Sequence, residues 1–309
     1  MDERPQTERP IDEQPVTLSR GLRCAIISSA TILPVVFCIL LKPTAAQAAW
    51  TTFTHIIQIE GRASATKSLD ISNVNLASFP PQQQAELLLN AAVNQLPGAT
   101  EAIFDRASSW RGRLRTTPEL SGLLDRALNS PDLNVRAGAI ETELAANNLA
   151  KTGESVSGVI RRVNNEPPVR PWGLWMLGAL GNRGVEASRV LATLTTYTRD
   201  SDDKTRYWAV EGLSVLGSND SIQPLLGVLR NDPSETVRNG AASALAKSGM
   251  LTREQRFRAV PPLIEAAGDS SLGTDTHELA FRALRNITGN NIDNDPAAWR
   301  SWWATHGEQ

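Results

Sequence analysis

A short stretch of sequence recurs five times along the chain, and this recurrence constrains the fold more than any other feature. The copies include "VRPWGLWMLGALG" and "TRYWAVEGLSVLG", and the separations between successive copies are 34, 36, 32 and 39 residues. A period in this range is typical of solenoids, in which each repeat is a helix pair that cannot bury its apolar face alone. The copies start at Val135, Val169, Thr205, Val237 and Thr276.

Within each copy the apolar residues follow a helical period. A small residue stands four positions after the start, and in most copies a leucine stands eight positions after it. Positions 0, 4, 8 and 11 lie within about 80° of one another on a helical wheel, so each copy predicts a helix with one buried stripe. Glycines predict left-handed helix ends at Gly181, Gly217 and Gly249. Acidic residues four positions before the arginines predict helix starts at Asp132, Glu166 and Asp202.

These units resemble HEAT repeats, in particular the short phycobilisome-lyase-like type with the recurring signature "D…VR..A..AL..LG". The resemblance covers residues 130–290 and extends more weakly over residues 81–130. It implies an all-α fold, namely an α-solenoid of stacked HEAT-like helix pairs. It also implies a family that consists mostly of scaffolds and binding surfaces, with a few enzymes.

Segments of different composition flank the repeats. Residues 1–23 are polar and rich in charge, which predicts a disordered tail, and the short alternations of residues 49–80 predict an extended linker. Residues 81–130 contain amphipathic segments between Pro and Gly residues, which predict N-terminal helical repeats before the main array at 131–290. In residues 291–309, "DPAAWRSWW" predicts a C-terminal capping helix that packs through Trp299, Trp302 and Trp303.

Residues 24–48 predict export from the cytoplasm. Two arginines precede an uncharged apolar run at 24–41, and Ala46 and Ala48 have the spacing that a signal peptidase accepts. Two interpretations remain open, which are cleavage after Ala48 and retention of 24–41 as an anchor in the inner membrane. Both interpretations place the body of the protein in the periplasm or cell envelope.

Three tryptophans in the second and third copies are candidates for a binding surface. Trp172 and Trp208 stand three positions after their starts, and Trp175 stands six positions after its start. Because the other copies carry polar residues at that sixth position, we expect Trp175 to face solvent. The expected site is a groove for a protein or peptide partner on the concave face, formed by Trp172, Trp175, Trp208 and Glu211. The alternative is that the rings fill the space left by Gly173 and Gly178.

The recurrent arginines predict a structural ladder rather than an anion site. They lie about 160° around the helix from the tryptophans at the third position, so they do not form an Arg–Trp cage within one unit. We expect each to pair with an acidic residue of its own or an adjacent turn. The ladder consists of Arg136, Arg170, Arg206 and Arg238.

Composition and motifs argue against several other functions. The chain has 31 basic and 33 acidic residues, so it lacks the basic excess of an electrostatic nucleic-acid binder. His277-Glu278 is similar to the His-Glu pairs of di-iron HEAT-repeat hydroxylases, but those enzymes need such pairs in several repeats and this sequence has one. We therefore expect no metal, no cofactor and no catalytic residue.

The sequence predicts an exported, non-catalytic α-solenoid scaffold that binds a protein or peptide, with membrane contact only through an uncleaved N-terminal segment. A HEAT-like enzyme or enzyme subunit, of the lyase or hydroxylase type, is one alternative. A purely structural envelope protein, in which all the tryptophans serve packing, is another.

Overall fold

The computed structural model describes residue 71 and residues 74–307, and most of these residues are helical. No strand occurs within these described residues. The predicted polar tail, the signal or anchor segment and most of the predicted linker lie outside them. Where the linker enters the described part, a short 3-10 helix at Leu76–Ser78 leads into the first α-helix. None of the helices described is long and apolar enough to span a membrane.

The helices divide into an N-terminal group, a central group and a C-terminal group. The N-terminal helices are α1 (Pro81–Val93), α2 (Ala99–Trp110), α3 (Pro118–Leu128) and α4 (Leu133–Ala146). The central helices are α5 (Gly153–Asn165), α6 (Arg170–Asn182), α7 (Ala187–Tyr197), α8 (Asp203–Leu216), α9 (Ile222–Asn231) and α10 (Glu235–Ala246). The C-terminal helices are α11 (Arg253–Phe257), α12 (Val260–Gly268), α13 (Thr274–Thr288) and α14 (Pro296–His306).

The helices stack as an α-solenoid, which confirms the predicted fold class. Each recurring stretch forms the second helix of a pair, and α5 packs on α6, α7 on α8, α9 on α10, and α12 on α13. The second helices α6, α8, α10 and α13 also pack against one another in chain order, whereas the first helices barely touch their neighbours in their own row. We call the row whose members pack against one another, α6, α8, α10 and α13, the inner helices.

Glycines permit the closest contact in the stack, between α6 and α8. A Cβ atom built on Gly178 would lie 2.2 Å from the carbonyl oxygen of Gly212, and one built on Gly212 would lie 2.5 Å from the carbonyl oxygen of Leu174. The backbones of the two helices therefore touch directly. Gly173 has the same role within a pair, because its Cβ would lie 2.3 Å from the side chain of Val163 on α5.

The predicted helix ends are confirmed at three positions and wrong at three. Gly217 caps α8 with a left-handed backbone, φ 59°, and Asp132 and Asp202 cap α4 and α8 through their side chains. Gly249 also has a left-handed backbone, φ 70°, but it lies beyond the end of α10, whose cap is Lys247. Gly181 instead lies inside α6, where the absence of a side chain makes room for Leu216 and Val190. Glu166 follows the end of α5 and forms no side-chain cap, because two prolines separate it from α6.

Helix α4 departs from the regular stack. It packs on α2 and α3 more than on α6, and residues 135–142 are buried on every side of the helix. The guanidinium of Arg136 donates to the carbonyls of Lys247 and Gly249, more than 110 residues away. The start of α4 therefore contacts the segment that follows α10.

The C-terminal helix α14 packs on α12. Trp299 is fully buried, and its indole nitrogen donates to the carbonyl of Asp293 at 3.1 Å. Trp302 and Trp303 pack against the same core but remain partly exposed. Of the three tryptophans predicted in the cap, one is thus buried and two retain a surface towards solvent.

Candidate binding face on the inner helices

Four aromatic side chains occupy the inner surface of α6 and α8. Each is partly exposed and packs with its remaining surface against the main core. The rings of Tyr207 and Trp208 meet edge to face, with centroids 5.9 Å apart. We call this set the aromatic row, and it consists of Trp172, Trp175, Tyr207 and Trp208.

Trp172 is the member of the row that the protein holds most firmly. Its indole nitrogen donates to Oδ1 of Asn147 at 2.8 Å, and the guanidinium of Arg162 lies 4.7 Å from its ring centroid. Asn147 follows α4 and Arg162 belongs to α5, so the ring joins three helices. Sequence reasoning missed this cation–π contact because it considered only the recurrent arginines. The contacts give Trp172 a packing role alongside any part in binding.

Trp175 is partly buried, as are the polar residues Glu211 and Ser243 at the same position of their copies. The premise that the sixth position faces solvent is wrong at Glu141, which is buried and forms ion pairs with Lys151 at 2.8 Å and Arg183 at 3.8 Å. The physical reason is that α4 is enclosed by other helices, so its polar side chains are satisfied internally. Trp175 itself is partly buried rather than fully exposed.

Glu211 lies beside the aromatic row in a partly buried position. Burial raises the pKa of its carboxyl group, and a hydrogen bond from Tyr207 opposes part of this effect. Burial, together with the nearby carboxylate, also raises the pKa of the Tyr207 hydroxyl. The Tyr207 ring extends to α10, where it lies 3.3 Å from the Cβ position of Gly240. Tyr207 was not among the predicted site residues, although it adjoins Trp208 in the recurring stretch.

Towards the C-terminus the inner face changes from aromatic to polar. A cavity of about 240 Å³ lies between α10 and α13. The guanidinium of Arg282 donates to Oδ1 of Asn239 across this cavity. Ser243, Lys247 and Asn286 supply further polar groups to its walls. The inner face therefore offers aromatic surface on α6 and α8, and hydrogen-bonding groups on α10 and α13.

Two of the four recurrent arginines form ion pairs that connect successive helix pairs, whereas the expected pairing with an acidic side chain is wrong for the other two. Arg206 forms a bidentate ion pair with Asp232, at 2.8 and 3.0 Å, and Arg170 reaches Asp200 at 3.3 Å. Both carboxylates lie a few residues before the second helix of the next pair. The hydrogen bond with Asp232 raises the pKa of Arg206. The other two arginines bond to backbone carbonyls: Arg238 to Asp232, and Arg136 to Ser130 and the segment after α10.

The single His-Glu pair does not form part of a metal site in the described residues. The His277 ring nitrogen lies 2.8 Å from the carbonyl oxygen of Asp269, which fixes the imidazole to the loop before α13. Within residues 74–307, no group of three or more His, Cys, Asp or Glu side chains is placed to hold a metal ion.

Comparison with known proteins identifies the type of repeat. Residues 159–246, which run from within α5 to the end of α10, match the family profile of HEAT repeats. A search of curated proteins finds no match.

Similar solved structures include a designed armadillo repeat protein, with 17% identity over 67% of this chain and 100% of that one, at a TM-score of 0.31. They also include computationally designed armadillo repeat proteins for modular peptide recognition, with 16% identity over 66% of this chain and 99% of that one, again at 0.31. TM-scores of this size support no inference about function. The central repeats of this chain are thus similar to HEAT repeats, while the phycobilisome-lyase-like subtype remains a prediction.

Proposed function

We propose that this protein is a non-catalytic scaffold that binds an extended segment of another protein across its inner face. The observation that carries the proposal is the aromatic row, because it places partly exposed rings on two adjacent inner helices. Large aromatic side chains dominate the energetics of protein interfaces. The polar groups of α10 and α13 continue the same face and supply partners for a peptide backbone.

The dimensions of the inner face suit an extended peptide. Packed helices lie about 8–10 Å apart, so the four inner helices span about 24–30 Å. A chain in extended conformation advances about 3.3 Å per residue, so a segment of about eight residues covers this distance. Within the row, Trp175 and Trp208 have the greatest capacity for new contacts, because the indole nitrogen and ring of Trp172 already have partners.

Export is a further part of the proposal. It is supported by the apolar run at 24–41, by the arginines before it and by Ala46 and Ala48 after it. We propose that the repeats lie in the periplasm or cell envelope, either released or held by the apolar run. Cell fractionation and N-terminal sequencing of the mature protein test this, and a cytoplasmic protein that begins at Met1 contradicts it.

The binding role can be tested without knowledge of the natural partner. Random 12-residue peptides displayed on phage are selected on the purified protein, and the affinities of the selected peptides are measured. Trp175→Ala and Trp208→Ala should each weaken binding at least fivefold, since interface hot spots contribute more than about 1 kcal/mol.

The matched control is Phe104→Ala, which removes an exposed aromatic ring on α2, outside the inner helices. It should leave the affinity of these peptides unchanged. If all three variants bind the selected peptides as tightly as the unmodified protein, the inner face is not the binding site.

A further inference from the structure

A second candidate site lies near the C-terminal end of the described residues, and none of its lining residues belongs to the aromatic row. A cavity of about 770 Å³ opens between α11, the start of α12 and α14. Its apolar walls are the side chains of Phe257, Pro261, Trp302 and Trp303. This volume lies within the range of about 300–1,000 Å³ that is typical of ligand sites in proteins.

Fixed contacts hold the walls of this cavity in place. Helix α11 begins with a capping box, in which Thr252 and Gln255 each accept a hydrogen bond from the backbone of the other. The buried guanidinium of Arg256 then ties α11 to the carbonyls of Ala244, Ser248 and Leu251. On the opposite wall, the rings of Trp302 and His306 stack in parallel, with centroids 5.0 Å apart.

The groups at the rim of the cavity carry an excess of positive charge. Arg253 and Arg258 are exposed, with His306 nearby, and among the lining residues that the structure describes Glu254 is the one carboxylate. Neither Arg253 nor Arg258 forms an ion pair with another described residue, in contrast to Arg170 and Arg206 of the ladder. Their guanidinium groups thus offer donors that match a carboxylate in charge and geometry.

We propose that this cavity, which we call the C-terminal pocket, binds an acidic peptide segment that presents an apolar side chain between carboxylates. The apolar side chain enters between Phe257, Trp302 and Trp303, and the flanking carboxylates pair with Arg253 and Arg258. The assignment rests on charge complementarity at the rim and on the aromatic walls. It does not depend on the aromatic row, so the two sites can be tested independently.

The test uses two fluorescein-labelled peptides and the full-length protein. One peptide carries glutamates on both sides of a Phe-Leu pair, and the other carries lysines in their place. Fluorescence anisotropy should show at least tenfold tighter binding of the glutamate peptide, and the preference should shrink as salt is added, because exposed ion pairs are screened. Equal binding of the two peptides, or a preference for the lysine peptide, overturns the proposal.

Substitutions then locate the site. The double variant Arg253→Glu and Arg258→Glu changes only exposed side chains and should reverse the preference between the two peptides. Trp303→Ala should weaken binding of the glutamate peptide, while Trp175→Ala on the inner face should leave it unchanged. A double variant that keeps the original preference places the binding elsewhere and overturns the proposal.

The alternative is that a second copy of the chain occupies the C-terminal pocket. Sedimentation velocity of the protein without peptide tests this alternative. The proposal predicts that Trp303→Ala leaves the sedimentation coefficient of the protein unchanged. A dimer that this substitution dissociates would show that the pocket is an interface between copies and would overturn the proposal.

Discussion

Replacement of Gly178 by alanine tests the packing on which the inner face depends. The added Cβ would lie 2.2 Å from the carbonyl oxygen of Gly212 and 2.9 Å from its carbonyl carbon. Ordinary contacts of this kind exceed about 3.4 Å, so α6 and α8 must separate by about 1 Å or more. Overpacking of this kind costs about 1–3 kcal/mol, and we expect the upper end because backbone atoms cannot move aside as a side chain can.

Thermal unfolding followed by circular dichroism measures this cost. For a domain of about 150–250 residues, 1 kcal/mol corresponds to about 2–4 °C, so Gly178→Ala should lower the Tm by about 6–12 °C. The matched control is Gly227→Ala in α9, where no atom lies within 4 Å of the added Cβ. Because alanine favours a helix over glycine by about 1 kcal/mol, the control should keep or raise the Tm. Equal melting of the two variants would refute the direct contact between α6 and α8.

Three further predictions concern single side chains. The folded-state pKa of Glu211 is raised by burial, so its ionisation opposes folding, and stability is lost as pH rises from the ordinary value of 4.5 through the raised one. Glu211→Gln should therefore flatten the decline of unfolding free energy in urea between pH 4 and pH 7, and an unchanged slope contradicts this. Trp299→Ala should cost about 3–5 kcal/mol in thermal unfolding because the ring is fully buried, whereas Trp303→Ala should cost clearly less; similar losses contradict the burial. Trp172→Phe keeps a ring but removes the hydrogen bond to Asn147, so urea unfolding should show a loss of about 0.5–1.5 kcal/mol, and no loss argues against that bond.

The stacking of the helices follows from local sequence. The start residues and the leucines eight positions later share one face of each helix, and Leu177, Leu213, Leu245 and Leu284 are all fully buried. This part of the fold could be predicted because each inner helix repeats the same environment. The buried positions of one copy therefore predict the buried positions of the next.

The prediction fails where one copy has different neighbours from the rest. Helix α4 carries the stripe with Glu143 in place of the leucine, and it is also enclosed on its polar side, which buries Glu141. The partners of Arg136 lie more than 110 residues along the chain, so no local pattern indicates them.

The candidate sites were accessible to sequence reasoning only in part. The tryptophans of the aromatic row could be recognised because they differ from the residues at the same positions of the other copies. Tyr207 could not, because a single tyrosine beside a tryptophan gives no recurring signal. The C-terminal pocket depends on α11, a helix of five residues that is too short to show a period. Its aromatic walls come from elements that are distant in sequence, and only the fold brings them together.

Hydroxyl-radical footprinting tests the central claim, that the inner face of the solenoid is its binding surface, most directly. The protein is oxidised alone and with a peptide selected on it, and the modification of each tryptophan and tyrosine is quantified by mass spectrometry. We predict that the peptide protects Trp175, Tyr207 and Trp208 and leaves Trp302 and Trp303 unchanged. Unchanged oxidation of Trp175, Tyr207 and Trp208 in the presence of saturating peptide would contradict the claim.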